Sequence, residues 1–283
     1  MAAQLANVIA ALESIAPLDL AEEWDNVGLL VAPSEPRPIT AVFLTIDLRP
    51  AVLDEALAAG AELIVAYHPP LFEPLRRLRP WIPAERIALR CAESRIAVWS
   101  PHTALDAVAG GVNDWLAEAL GVAEREVIVP RGTARVTTEG EPASAKAGRP
   151  GPSAGQGRRV KLSRPVTLST LLRRIKSHLG IERLRVARAP EHAGGARVLT
   201  IALCAGAGGS VLAGAQADVY WTGEMRHHDV LAANGRGTTV ILCEHTNTER
   251  GYLAVLHRRI ASALGRDVEI FVSRVDRDPL EIV

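Results

Sequence analysis

Residues 39–68, ITAVFLTIDLRPAVLDEALAAGAELIVAYH, decide the fold. Residues 39–47 are apolar and rich in β-forming side chains, which predicts a strand. Pro50 opens a predicted helix that ends at Gly60, because proline favours the first helical turn and glycine the residue after the last. Residues 62–68 form the next predicted strand. This order predicts two parallel strands joined by a helix.

The same alternation extends to both sides of this stretch. Near the N-terminus, apolar residues at helical spacing predict an opening helix. They are Leu5, Val8, Ile9, Leu12 and Ile15. A helix is also predicted after Pro83, a strand at residues 95–100, and a further helix from Val112 to Gly121. Such alternation favours largely parallel sheets with helices on both faces.

A second α/β segment follows a stretch without periodicity. From Arg131 to Gly157 the chain consists largely of Gly, Pro, Ala, Ser and Thr, which predicts a flexible loop or linker. Thr167 is then the predicted N-cap of a helix that Gly180 ends. Strands are predicted at residues 183–188, 198–204, 218–222, 238–245 and 268–273, with helices between them, one running from about Glu249 to Leu264.

The predicted fold class is therefore α/β, with two domains whose sheets are mixed and largely parallel. The N-terminal domain is predicted to span residues 1–130 and the C-terminal α/β segment residues 158–283. Residues 131–157 are the predicted linker between them.

The composition is that of a globular protein. Of the 283 residues, 48% are hydrophobic and 23% charged. Lys+Arg and Asp+Glu both number 32, so no overall positive field favours direct nucleic-acid binding. The N-terminus has neither the basic start nor the solid apolar block of a secretion signal, and no apolar run is long enough for a membrane span.

The three cysteines predict a reducing compartment. Cys91, Cys204 and Cys243 lie in or beside apolar runs without C-x-x-C spacing, which is typical of reduced core residues. We therefore expect a cytoplasmic protein, with the nucleus or the mitochondrion as alternatives.

Three predicted strands end beside candidate metal ligands. One leads into His68, the next into His102 and Asp106, and a third into His245 and Glu249. Open α/β sheets bind ligands at the carboxyl ends of their strands, so we expect these side chains to converge. A mixed imidazole and carboxylate shell suits zinc, manganese, iron, cobalt or nickel, and does not choose among them.

Each of these residues also has a purely structural explanation. His68 is then a hydrogen-bonded loop residue, and Asp106 a helix N-cap. Glu249 and Glu224 favour the positive end of a helix dipole. His102 is then a surface or supporting residue. If the site is catalytic, we expect Glu224 or His102 to move protons.

Two further motifs are less specific. CAGAGGS, residues 204–210, follows a predicted strand, and its backbone amides suit a phosphate or another anion. It lacks the spacing of a nucleotide-cofactor fingerprint, so no organic cofactor is predicted. EEWDNVGLLV, residues 22–31, is interpreted as a polar turn with Trp24 as its aromatic anchor.

Several sequence blocks together resemble NIF-three-like proteins, especially their eukaryotic branch. In chain order they are WDNVGLLV, AYHPPLF, SPHTALDA, TGEMRHHDVL, ILCEHTNTERGYL and DRDPLEIV. The resemblance implies a two-domain α/β subunit in a toroidal homohexamer, with a two-metal centre in the cleft between the domains. It implies that His68, Asp106, His245 and Glu249 are the metal ligands.

The chain departs from the family pattern at Tyr67. Many bacterial members have two adjacent histidines before the proline, whereas here the first of the two is tyrosine. A neutral phenol, with a pKa of about 10, is a poor ligand near pH 7. We therefore expect one or two divalent ions per subunit. The inserted domain of longer relatives is absent here, and residues 131–157 stand in its place.

The predicted metal site and the resemblance together leave three alternative functions. The first is a metal-dependent hydrolase acting on a purine nucleotide or phosphoester, since some members are described as type-two homologs of GTP cyclohydrolase I. Water activated by the metal would be the nucleophile. The second is a metal-binding regulatory protein that contacts transcriptional cofactors. The third is a metal-handling protein.

Overall fold

The structure is a computed structural model that describes residues 3–131 and 154–281. The chain divides into two compact units. The first unit contains Met1–Leu105 and Tyr252–Pro279, and the second contains Asp106–Gly251 and Leu280–Val283. Each unit has a mixed sheet of its own, which confirms the predicted α/β class.

The first unit has a five-stranded sheet with the order β1-β4-β3-β2-β11. Its strands are β1 (Gly28–Val31), β2 (Ala41–Thr45), β3 (Leu63–Ala66), β4 (Ala97–Ser100) and β11 (Glu269–Val272). β1 runs antiparallel to β4, and the other neighbours are parallel. The parallel core fits the apolar runs of β2, β3 and β4, which are buried along their whole length.

Helices cover this sheet. They are α1 (Leu5–Ile15), α2 (Pro50–Ala58), α3 (Pro83–Glu93) and α10 (Leu253–Leu264), and the short α4 (His102–Ala107) follows β4. Pro50 and Pro83 stand in the first turn of α2 and α3, as predicted. Val52 of α2 and Cys91 of α3 are buried in the same apolar cluster as Ile64 of β3.

The second unit has a six-stranded sheet with the order β5-β6-β8-β9-β10-β7. Its strands are β5 (Val122–Pro130), β6 (Gly155–Val166), β7 (Arg185–Ala187), β8 (Val198–Ala207), β9 (Val219–Glu224) and β10 (Thr239–Leu242). β8, β9 and β10 are parallel. β5, β6 and β7 are joined to the sheet by antiparallel pairing.

Most helices of the second unit are short, and the longest has twelve residues. They are α5 (Val112–Glu118), α6 (Leu168–Leu179), α7 (Pro190–Ala193), α8 (Gly209–Leu212) and α9 (His227–Gly235). Thr167 caps α6 by accepting a hydrogen bond from the Thr170 amide, and Gly180 ends it in the left-handed conformation. Both end signals are confirmed.

The units divide the chain differently from the predicted boundaries at residues 130 and 158. β11 pairs with β2, and α10 packs against α1 and β11, so the C-terminal part of the chain returns to the N-terminal sheet. Of the predicted linker, residues 132–153 lie outside the described residues. Gly155 already begins β6, so the last residues of that predicted linker are strand.

Three strands were not predicted: β1, β5 and β6. β6 carries several charged side chains, so it has no continuous apolar run to indicate a strand. One of them, Arg158, is buried, because its guanidinium pairs with Asp114 at 2.6 Å and donates to the carbonyl oxygen of Gly155 at 2.7 Å. A charged residue can occupy a buried strand position when every donor is matched in this way.

Cys91, Cys204 and Cys243 are free and buried, as predicted. Burial raises the pKa of the Cys91 and Cys243 thiols to about 12. Within the part of the chain that the structure describes, no helix combines the length and apolar character needed to cross a bilayer.

Candidate metal centre

His245 and Glu249 meet at a tight turn after β10. A 3₁₀ turn, Thr246–Thr248, follows His245 and brings Glu249 back towards the imidazole. His245 Nε2 lies 3.3 Å from Glu249 Oε1, and the Glu249 side chain is only 3% exposed. The helix predicted from about Glu249 to Leu264 begins as a 3₁₀ turn, Arg250–Tyr252, that leads into α10 at Leu253. His245 and Glu249 thus place an imidazole nitrogen beside a carboxylate oxygen.

Thr248 fixes this turn. Its hydroxyl donates to the His245 carbonyl oxygen at 2.7 Å and accepts a hydrogen bond from the Gly206 amide at 2.8 Å. The second bond ties the turn to the end of β8. The geometry of His245 and Glu249 is therefore set by backbone contacts as well as by their own side chains.

Glu224, the last residue of β9, determines which nitrogen His245 presents. Its Oε1 lies 2.8 Å from His245 Nδ1, close enough to accept a hydrogen bond from that nitrogen. An imidazole held by a carboxylate at Nδ1 keeps the Nε2 lone pair for a ligand, which is the usual arrangement of metal-binding histidines. Glu224 therefore has a positioning role that sequence analysis did not assign.

Gly206 leaves space beside the two donor atoms. Its φ is +57°, and a Cβ added there would lie 2.7 Å from Glu249 Oε1 and 2.9 Å from His245 Nε2. Any larger residue would crowd both atoms. This glycine cradle, together with an imidazole nitrogen and a carboxylate oxygen, fits a divalent transition metal ion.

Asp106 lies near the end of α4, so the alternative that it caps a helix N-terminus is wrong. Its carbonyl oxygen accepts a hydrogen bond from Asn113 Nδ2 at 3.1 Å. Asn113 is completely buried, and its Oδ1 accepts a hydrogen bond from the Ala205 amide at 2.9 Å. Asn113 thus joins the Asp106 backbone to the strand end that carries Gly206.

His68 in the first unit has a carboxylate partner of the same kind. Its Nδ1 lies 2.9 Å from Asp47 Oδ1. Asp276 in turn holds the end of β2, since its Oδ2 accepts hydrogen bonds from the amides of Ile46 at 2.8 Å and Asp47 at 3.2 Å. The C-terminal DRDP block therefore supports the position of His68 through Asp47.

His102 repeats the arrangement with Asp25, a residue that sequence analysis assigned only to a turn. His102 Nδ1 lies 2.7 Å from Asp25 Oδ1, and the Asp25 side chain is fully buried. Asp25 Oδ2 also accepts hydrogen bonds from the Thr103 amide at 3.1 Å and hydroxyl at 2.5 Å. His102 has a φ of +30°, a strained value for a residue with a side chain.

The charge of Asp25 is stabilised by these contacts. Burial alone would raise the pKa of Asp25, but the hydrogen bond and charge of His102 and the hydrogen bonds from Thr103 outweigh it, so the pKa is lowered. Asp25 therefore stays ionised at neutral pH. It fixes the His102 ring and the start of α4 together.

Tyr67 packs against the two histidines of the first unit. It is 2% exposed, and its ring centroid lies 5.1 Å from that of His68 and 5.9 Å from that of His102, both edge-on. The imidazoles of His68 and His102 are 5.3 Å apart. Tyr67 is thus a packing partner of both rings, and the number of metal ions stays a prediction.

A strand-end rule applied to every strand would have found Asp47, which lies two residues after the end of β2. Asp25 gave no comparable signal, because it lies before β1 rather than after a strand. Its partner, His102, is 77 residues away in sequence.

Comparisons with known proteins agree with the resemblance of the sequence blocks. The sequence model of the family Duf34/NIF3 (NGG1p interacting factor 3) matches residues 3–279. The chain is 41% identical over 277 residues to the protein NIF3 homolog of Schizosaccharomyces pombe, covering 95% of this chain and 94% of that protein. It is 36% identical over 293 residues to NGG1-interacting factor 3 of Saccharomyces cerevisiae, covering 99% and 97%.

Solved structures share the fold. A Bacillus cereus protein related to NIF3 has a TM-score of 0.80 with this chain and is 25% identical to it, with 98% of both chains covered.

Proposed function

The chain belongs to the Duf34/NIF3 family, and on that premise we propose that it is a metal-dependent hydrolase that acts on a purine nucleotide or a phosphoester. One observation carries the proposal. His245 Nε2 and the buried Glu249 Oε1 lie 3.3 Å apart. Glu224 holds the opposite ring nitrogen, and Gly206 leaves space at both donor atoms.

We propose His68, Asp106, His245 and Glu249 as the metal ligands. His68 and His245 each have a carboxylate at Nδ1, which favours coordination through Nε2. The proposed ion is divalent zinc, manganese, iron, cobalt or nickel, with one or two ions per subunit.

The ion, when bound, supplies Lewis acidity for the attack of water on the substrate. Glu249 contributes a buried negative charge to hold it, and Glu224 keeps the His245 ring in the orientation that presents Nε2. His102 is the first candidate for proton transfer, because Asp25 holds Nδ1 and leaves Nε2 to exchange a proton. Glu224, 49% exposed, is the second candidate.

The test measures metal content and turnover in matched variants. We expect wild-type protein to retain divalent metal after dialysis, and His245→Ala and Glu249→Gln to lose most of it. His228→Ala, an exposed histidine of α9, is the control and should retain wild-type content. Metal-loaded, folded wild type that turns over no member of a nucleotide and phosphoester panel would exclude the hydrolase.

The second proposal is a regulatory protein that uses the metal for structure and contacts protein partners, including transcriptional cofactors. The name of the Saccharomyces cerevisiae relative, NGG1-interacting factor 3, supports it. Partner binding should then survive Glu249→Ala. A third proposal is that the protein handles metal. It predicts fast exchange of the bound ion and a modest affinity for it, and an equilibrium metal titration measures that affinity.

We also propose that the chain assembles into a homohexamer and acts in the cytoplasm, with the nucleus or the mitochondrion as alternatives. The buried, free thiols support a reducing compartment. Sedimentation velocity of the purified protein tests the assembly, and a monomer at micromolar concentration would contradict it. Cell fractionation tests the compartment.

A further inference from the structure

Two aromatic side chains are exposed beside His102. Trp24 is 62% exposed and Phe72 is 46% exposed. Their ring centroids lie 6.0 Å apart with a tilt of 55°. The His102 ring lies 6.1 Å from Trp24 and 6.5 Å from Phe72. Grouped apolar rings that remain in water commonly mark a binding surface.

The chain segments that carry both rings are held by polar contacts. Asp25, the neighbour of Trp24, is fixed by His102 and Thr103. Asn26 Nδ2 donates a hydrogen bond to the carbonyl oxygen of Leu71, the residue before Phe72. The segments that carry the two rings are therefore tied to each other and to His102. The backbone that presents the two rings is therefore positioned in advance, which lowers the entropy cost of binding a ligand.

We propose that Trp24 and Phe72 form an aromatic platform that stacks the planar heteroaromatic ring of the substrate. The inference rests on the proposed function, because it places the substrate beside the His68 and His102 imidazoles. Stacking recognises a π-face and tolerates differences in ring substituents. The ligand class is a nucleobase-sized aromatic heterocycle, and a sugar phosphate alone lacks the recognised group.

The contacts favour a ring ligand over a purely apolar one. The two exposed rings surround an imidazole that Asp25 holds at Nδ1, so polar and aromatic groups meet at the same place. A heterocycle offers a π-face to Trp24 and ring nitrogens or carbonyl groups to the imidazole. An aliphatic chain offers only the apolar contact.

The experiment titrates full-length, metal-loaded protein with GMP and with ribose 5-phosphate, using isothermal titration calorimetry. We expect GMP to bind and ribose 5-phosphate to bind at least tenfold more weakly. Trp24→Ala and Phe72→Ala should each weaken GMP binding about tenfold, within the range measured for base stacking. Trp24→Phe should restore part of the affinity.

Trp81→Ala is the matched control, since Trp81 is 73% exposed and lies outside the platform. Its GMP affinity should equal that of wild type. Circular dichroism and metal content confirm that each variant keeps its fold and its metal.

Three results would overturn the proposal. One is the absence of GMP binding, another is equal binding of GMP and ribose 5-phosphate, and the third is wild-type GMP affinity in Trp24→Ala and Phe72→Ala. If both variants give this third result and also change the sedimentation of the protein, the rings form a subunit contact instead. If GMP binding depends on Trp24 while the wild-type protein has no turnover, the hydrolase proposal is excluded and the aromatic platform is supported.

Discussion

The Asp25–His102 pair in the first unit and the Glu224–His245 pair in the second have the same chemistry in different surroundings. The Asp25 side chain is fully buried and accepts hydrogen bonds from His102 and Thr103. Glu224 is 49% exposed, and His245 is 33% exposed. Solvent therefore competes for the second pair far more than for the first.

This difference indicates what fixes the orientation of each imidazole ring. Packing and hydrogen bonds already fix His102, so changing Asp25 should damage the fold itself. His245 is positioned by an exposed carboxylate and by the Gly206 cradle, so changing Glu224 should act on metal binding and leave stability nearly unchanged. Four predictions test this contrast.

The largest effect is expected from Gly206→Ala. The added Cβ would lie under 3.0 Å from Glu249 Oε1 and His245 Nε2, so the donor atoms must move. We expect metal affinity to fall by more than about 100-fold, beyond the usual effect of changing a residue behind a ligand. Competitive chelator titration measures it.

Gly214→Ala is the matched control for that variant. Gly214 has a φ of +81°, and a Cβ there would meet nothing within 4 Å. It should show the same backbone strain, about 1 kcal/mol, without a change in metal affinity. Equal metal affinity in the two variants would contradict the role of the cradle.

Asp25→Ala should have the largest effect on stability. It leaves the Thr103 amide and the His102 ring nitrogen without their carboxylate partner, in a buried position. We expect the free energy of unfolding to fall by about 3 kcal/mol. Urea unfolding measures it. Asp54→Ala, which removes an exposed partner of Arg90, is the control and should cost under about 0.5 kcal/mol.

Candidate residues at the end of a single strand could be selected from the sequence, whereas residues positioned by packing could not. His68 and His245 follow apolar runs directly, so the rule that ligands gather at strand ends was sufficient to select them. Asp25 and Asp47 are defined by their contacts with histidines that lie 77 and 21 residues away. Asp47 lies close to a strand end and could have been found there, whereas the pairing of Asp25 follows from tertiary structure and leaves no local pattern.

The same limit explains the strands that were missed. β2, β3 and β4 are buried along their whole length and therefore appear as continuous apolar runs. β6 has a buried arginine whose matching carboxylate, Asp114, lies 44 residues earlier. No strand was predicted there, because burial of Arg158 requires a partner that the sequence alone does not identify.

Glu224→Gln should have a moderate effect on metal affinity. The amide can still contact His245 Nδ1 but no longer accepts a hydrogen bond with a full negative charge. We expect metal affinity to fall about tenfold, with the free energy of unfolding changed by less than about 0.5 kcal/mol. Glu124→Gln, at an exposed pair with Lys161, is the control. A loss of stability comparable to that of Asp25→Ala would remove the contrast between the two pairs.

The smallest expected effect is the pH dependence of the Asp25 contribution. Because the folded-state pKa of Asp25 is lowered from its ordinary value of 3.8, its charge stabilises the fold fully above that value. Protonation as the pH falls through the folded-state pKa removes this contribution. The difference in unfolding free energy between wild type and Asp25→Asn, measured by urea unfolding, should therefore be greater at pH 5 than at pH 3. Asparagine is the appropriate comparison, since it keeps an acceptor for Thr103 and does not titrate. A difference that grows as the pH falls towards 3 would contradict a stabilising charge on Asp25.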